Sequence, residues 1–341
     1  MRISIVSPSY NQVRFIERTI DSVAKQKYNN KEHIIVDGLS SDGSQEIIRK
    51  AEEDHKHLRS IIEADKGQAD AINKGLKACN GDIFAWINTD DCYFDENVFQ
   101  KVSDAFSKHK DVDIIYGRGW RLNSEGEKIR EAWINRDIVT HWDFWKSLGI
   151  LQPSLFFRKH VFDEIGGLAD EFVLQLDYEY WIRMAKAGFK FKFIDEIFSS
   201  AIVHNDAKST RDRLAQLSEC IEMIDRHFGD VPNEWFDRLV EFSITNVDQK
   251  TMITKHKSEA EVDLARIKAS SKFLQFIHRG MSPSPACASC QRRALHNRMC
   301  RPRFGRGAAW SITEPHWSVS CVGFCSIVGS PSASRSHGLA P

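Results

Sequence analysis

The densest group of chemistry-bearing residues is WINTDDCY (86–93), where two adjacent carboxylates, Asp90 and Asp91, follow the apolar run IFAWI (83–87). Neighbouring residues of an extended chain point to opposite sides, so a turn is required to aim both acids at one ligand. Two carboxylates at a strand end make a hard-oxygen site suited to Mg2+ or Mn2+ holding phosphates. A solvated Asp-Asp turn explains the same pair when it is taken alone. The position after an apolar strand favours the ligand site, because an α/β sheet binds its ligands there.

Two further segments have the same form. VDGLSSDGS (36–44) places Asp37 at a strand edge, followed by Gly38 and by Ser41 or Asp42 as caps for the next helix. A β–turn–helix connector accounts for Ser41, Asp42 and Gly43, whereas Asp37 is also suited to accept from a nucleobase N–H or a ribose hydroxyl. In DKGQADAINKGL (65–76), Asp65 is suited to ribose and Gly67 to close backbone approach. A helix starting at Gln68 there presents free N–H groups to phosphate. LQLDYEYWIRM (174–184) sets Asp177 and Glu179 at the start of a helix. They favour the helix dipole there, and a carboxylate facing a cleft can also take a proton from an attacking hydroxyl. His204, in AIVHNDAKST, ends a strand, where imidazole serves as a surface or core residue or completes a Mn2+ site.

The elements that must position these residues are those of an α/β fold. ISIVS (3–7) and HIIVD (33–37) are continuous apolar runs of the kind buried on both faces of a parallel sheet. SIIEA (60–64) and IFAWI supply two more strands. Phe15–Val23, Ser44–Lys56 and Gln68–Ala78 read as the intervening helices. Beyond Asp111, strand and turn are expected over 113–122, a strand and short helix over 154–167, a helix over Tyr178–Ala187, a strand pair over 191–204, and helices over Ser209–Phe228 and Asn233–Arg279.

The chain has 341 residues with 47 basic and 47 acidic side chains, a formal net charge of zero. Residues 281–341 hold seven Arg, no Lys and one acid, Glu314, so 1–280 is about −6 and the tail about +6. The tail also has six of the nine prolines and five of the eight cysteines, a composition that does not support a packed core. It reads either as a native disordered extension or as out-of-frame translation. Its CASC (287–290) has no second pair at zinc spacing. Its charge alone would suit acidic lipid or nucleic acid. With no excess of basic residues overall, no nucleic-acid partner is expected. No signal-peptide core and no apolar stretch of 18 residues is present. The expected location is cytoplasmic, with peripheral association at the inner face of the plasma membrane left open.

Taken in order, these segments resemble family 2 glycosyltransferases over about residues 1–225. VSPSYNQ (6–12) looks like that family's opening strand and loop, and VDGLSSDGS like its nucleotide loop, with Gly38 where many members have a second Asp. NTDD is similar to its D-x-D variant, and LDYEYW to its acid-rich base motif, with Leu176 in place of the first acid.

The resemblance implies a GT-A type nucleotide-binding sheet with flanking helices and inverting transfer from a UDP-, dTDP- or GDP-linked sugar. The donor would be held by Pro8, Tyr10, Asp37, Asp65, Gly67, Gln68, Asn73 and Asp90. Mn2+ or Mg2+ would be held by Asp91, Asp90 and His204, with Lys208 or Arg211 near the diphosphate. Asp177 would be the catalytic base. The expected acceptor is a glycan or lipid-linked glycan of a surface polysaccharide. Trp120, Trp133, Trp142, Trp145 and Trp181 are either sugar-stacking faces or core. The layout implied is a 1–225 glycosyltransferase domain, a 226–280 helical extension and the tail. Two rivals are a nucleotidyltransferase, which would show a Gly-rich basic phosphate loop that VSPSYNQ lacks, and a non-catalytic nucleotide-sugar-binding protein.

Overall fold

A computed structural model describes residues 1–204, 208–239 and 241–242. The expected helix beyond residue 242 and the whole of the tail lie outside the described residues.

The apolar runs become strands β1 (Ile3–Ser9), β2 (Lys31–Asp37), β3 (Leu58–Ile62) and β4 (Ile83–Trp86), joined through helices α1 (Ile16–Ala24), α2 (Ser44–Asp54) and α3 (Gln68–Ala78). Every residue of β1, β2 and β4 is buried, as both-face coverage requires. On one side Val6, Ile34 and Val36 meet Ile72 and Leu76 of α3; on the other Ile3 and Ile5 meet Val23 of α1. The four strands run parallel, with Ser9 level with Asp37 and Val6 level with Trp86. Their C-terminal ends therefore deliver the loops after Ser9, Asp37, Ile62 and Trp86 to one edge of the sheet.

The rest of the chain adds β5 (Asp91–Tyr93), α4 (Val98–Lys108), β6 (Ile114–Leu122), β7 (Lys128–Glu131), β8 (Leu155–Arg158), α5 (Lys159–Ile165), α6 (Leu176–Lys186), β9 (Phe191–Ile202), α7 (Lys208–Arg211) and α8 (Arg213–Phe228). The sheet has nine strands in the order β3-β2-β1-β4-β8-β6-β9-β5, with β7 alongside β6. β8 runs antiparallel to β4 and β6, and β5 antiparallel to β9. The result is a parallel half continued by a mixed half.

One expectation needs correction. Residues 191–202 form one long strand rather than a pair: Gly117 pairs with Ile194 but Arg118 with Ile197, so Asp195 and Glu196 bulge from the ladder and read in the sequence as a turn. A domain end at 225 falls inside α8, which continues to Phe228. Among the described residues no helix is long and apolar enough to cross a membrane, and Cys79, Cys92 and Cys220 are buried free thiols.

Candidate active site

The strand-end loops, the segment before α6 and the end of β9 enclose one cavity of about 660 Å³. Its wall includes Pro8, Tyr10, Asp65, Gly67, Gln68, Asp90, Asp91, Asp177, His204 and Lys208, so most of the expected site residues come together.

The Asp90–Asp91 pair owes its geometry to the turn its spacing requires. The Asp91 N–H donates to the Asn88 carbonyl (3.0 Å), closing a turn between β4 and β5. Thr19 of α1 then donates to the Asp91 carbonyl (2.7 Å), tying the turn to the scaffold. Asp90 accepts from or shares a proton with His204 Nε2 at 3.1 Å, and the His204 ring packs on Phe15 at 4.6 Å. Burial first, and then the neighbouring charge of Asp90, push the Asp91 carboxyl well above the usual carboxylate range; Arg121 pulls it back.

On the α3 side of the cavity, Asp65 Oδ1 accepts from the Gly67 N–H (2.9 Å), and Gly67 sits at φ 130°, a conformation that favours glycine. The first turn of α3 opens there onto the cavity. Gln68 links Asn88 Oδ1 (2.8 Å) to Lys208 Nζ (3.2 Å), so three loops share one polar chain. Gly38 is favoured by proximity rather than by its backbone angle: a Cβ there would lie 2.4 Å from Asp65 Oδ2, so the Asp65 side chain would have to move. Tyr10 is 62% exposed at the mouth.

Two expected donor residues are placed differently. Asp37 is fully buried and does not line the cavity; its carboxylate accepts from Ser9 Oγ (2.8 Å), Ser40 N (2.8 Å) and Ser40 Oγ (2.6 Å). It organises the 38–43 loop, and reaching a nucleobase would require exchanging those bonds. Asn73 is turned away altogether, clamping Leu168 through both its backbone N–H (2.8 Å) and its carbonyl (2.8 Å). Its amide is thereby spent on holding α3 to the segment after α5.

Asp177 is the second residue of α6 and accepts from the Tyr178 N–H (2.8 Å). Burial, together with the charge of Glu219, raises its carboxyl from 3.8 to about 6, outweighing the backbone donors. Glu179 has a structural role: it is buried, takes Arg183 Nε at 2.8 and 2.9 Å, and Arg183 in turn holds the Ile165 and Gly167 carbonyls.

Sequence reasoning did not single out Arg121, Gln152 or Gln216, which also line the cavity. The period-two pattern Gly117, Gly119, Arg121 on one strand was the available signal for Arg121: two residues without side chains precede a charge on the same face. The tryptophans divide. Trp181 is fully buried and stacks on Trp86 at 5.0 Å, Lys128 covers Trp120, and Trp145 bonds to the Asp230 carbonyl. Trp133 and Trp142 are 63% and 55% exposed.

The sequence model of glycosyl transferase family 2 matches residues 4–166, the stretch that supplies the loops after β1 to β4. Residues 4–166 are a glycosyl transferase family 2 domain. An uncharacterised glycosyltransferase of Nostoc sp. is 31% identical over 48% of this chain and 53% of its own length. The chondroitin synthase of Escherichia coli is 23% identical over 61% of this chain and 30% of its own length. The chain thus spans about half or less of these relatives. Among solved structures, Staphylococcus aureus TarS 1–349 in complex with UDP superimposes with a TM-score of 0.53 at 17% identity, covering 81% of both chains. The mannosyltransferase PcManGT of Pyrobaculum calidifontis, in complex with GDP-Man and Mn2+, gives 0.50 at 18% identity over 86% of this chain and 80% of its own. The fold of the family 2 domain is accordingly the GT-A fold. Asp177, His204 and α8 lie beyond the residues that the family model matches.

Proposed function

We propose that the protein transfers a sugar from a nucleoside-diphosphate sugar to a hydroxyl of a glycan or lipid-linked glycan, with inversion at the anomeric carbon. The observation that carries this reading is that a carboxylate raised to about 6 and the Asp90–Asp91 pair line one cavity together with the N-terminus of α3. Asp65, Gly67 and Gln68 would receive the nucleotide, and Tyr10 would cover it at the mouth.

In the reaction the acceptor hydroxyl loses its proton to Asp177, its oxygen bonds to the anomeric carbon, and the bond from that carbon to the phosphate oxygen breaks. Asp177 must be ionised to do this, which its value of about 6 allows near neutral pH. Lys208 and Arg121 bring positive charge to the side of the cavity where negative charge accumulates on the leaving diphosphate.

A divalent ion fits the residues present. Asp91 is destabilised by the charge of Asp90, which a cation relieves, and the buried Nδ1 of His204 has no hydrogen-bond partner among the described residues. Asp90, Asp91 and His204 are not gathered into a closed three-ligand group, so the substrate's phosphates would have to supply further ligands. Asp90, Asp91 and His204 would hold Mn2+ or Mg2+, and the bound ion would neutralise the departing diphosphate. The PcManGT complex with Mn2+ supports this choice. Relatives named chondroitin and hyaluronan synthase favour polysaccharide assembly, with the enzyme working from the cytoplasmic side and peripherally at the membrane.

The test is a panel of UDP-, dTDP- and GDP-sugars with Mn2+, scored by released nucleotide. Release from one or a few donors is expected, and release from none, with no donor bound, would overturn the reading.

A further inference from the structure

The approach to Asp177 is held from outside α6. Residues Glu171 to Gln175 form the segment leading into that helix, and α8 grips it at four points. Glu219 accepts from the Val173 N–H with one carboxylate oxygen and from the Leu174 N–H (2.7 Å) with the other. Gln175 Nε2 donates to the Gln216 carbonyl (3.2 Å), and Arg226 holds Glu171 (2.9 Å). α8 is itself fixed by Leu217, Cys220, Ile221 and Ile224, which bury its other face in the core. Val173, Leu174, Gln175, Asp177 and Gln216 all line the cavity.

We infer that Glu219 is a positioning residue: by holding the amides of Val173 and Leu174 it fixes where α6 begins and hence where Asp177 points. A single carboxylate meeting two consecutive N–H groups leaves that backbone little freedom, and the base is only three residues further on. Glu219 also presents its charge to Asp177. The other ionisable groups facing Asp177 are Cys220 on α8 and Tyr178 on its own helix, with Arg213 and Arg238 next beside Cys220.

The inference rests on the reading of Asp177 as the base, and the test separates the two. Glu219→Gln keeps one acceptor oxygen and removes the charge; Glu219→Asp keeps the charge and withdraws the oxygens by one methylene. Nucleotide release from a donor found in the panel is expected to lose kcat by roughly tenfold to a hundredfold in both variants, with donor KM unchanged. The acid limb of the pH profile should move to lower pH in Glu219→Gln and stay in place in Glu219→Asp. A purely structural Glu219 would lower Tm and leave the limb unmoved in both, which would overturn the inference. Carbon-13 titration of the Asp177 carboxyl in the free protein provides a readout that needs no turnover. A lower Asp177 value in Glu219→Gln supports the link even if Asp177 proves not to be the base, and an unchanged value refutes it. If Glu219→Gln does not fold, kcat and KM of Glu219→Asp decide.

Discussion

Arg121 and Asp91 stand on either side of Ala201 in one row of the sheet. Arg121 of β6 is level with Ala201 of β9, and Ala201 is level with Asp91 of β5. A single methyl group between them lets a guanidinium and a buried carboxylate share one stretch of cavity wall. Arg121 is the cation that offsets part of the burial cost and of the Asp90 repulsion felt by Asp91.

Replacing Arg121 with Met should therefore weaken binding of the nucleoside diphosphate by about tenfold or more, the usual worth of a hydrogen bond to a charged group. Calorimetric titration with UDP and GDP in Mn2+ measures it, and Arg121→Lys should recover part of the loss. Unchanged affinity in Arg121→Met would confine Arg121 to neutralising Asp91.

Asp177→Asn should lose about 10²–10⁴ in transfer while still binding donor. The same change should raise stability. A carboxyl whose value rises from 3.8 unfolded to about 6 folded contributes its full stability below 3.8 and loses it as pH climbs through 6. At pH 8 the variant should exceed the parent by at most about 3 kcal/mol, with the gap closing below pH 4. Urea midpoints at the two pH values would show it, and parallel curves would argue against a buried, ionised Asp177.

Gly38→Ala should spare the fold and hurt the nucleotide site. The added Cβ meets the tip of the Asp65 side chain, which can swing aside at the cost of its bond to Gly67. Nucleotide affinity should fall about three- to tenfold, the worth of one hydrogen bond, with little change in Tm. An unaltered affinity would separate Asp65 from nucleotide recognition.

Acid should unfold the protein through His33 and His57. His33 is fully buried with Nε2 on Ser7 Oγ (2.9 Å); burial, then the charges of His57 and His55, lower it to about 3, and burial lowers His57 to about 4. Both sit below the unfolded value of 6.5, so stability is full above pH 6.5 and drains away as pH falls toward 4 and 3. His33→Gln should flatten that slope in urea melts between pH 7 and 4.5, and an unchanged slope would place the acid sensitivity elsewhere.

The parallel half was legible because its cause is local. Ile3–Ser7 and His33–Asp37 are short runs rich in Ile and Val, and α3 begins and ends where its flanking residues say it should. The Asp90–Asp91 turn was legible for the same reason. What could not be read depends on residues distant in sequence. Glu196 ion-pairs with Lys101 and Asp195 with Arg118 at the bulge, so acids that look like a turn sit in a strand. Asn73 looks like a phosphate-side amide until Leu168, 95 residues away, occupies it. Arg121 and Glu219 gain their meaning only from the lateral order of β6, β9 and β5 and from the packing of α8.

The grip of α8 on the segment before α6 bears on how the protein can be dissected or recombined. A chimera that borrows residues 4–166 would inherit the nucleotide-side loops but leave behind Asp177 and its supports. A fragment ending at 225 would keep Glu219 yet lose Arg226, which holds Glu171, and His227, which reaches Glu179 at 3.2 Å. A crossover point that keeps these contacts intact therefore lies beyond Phe228, with α6 and its outer clamp moved as one piece.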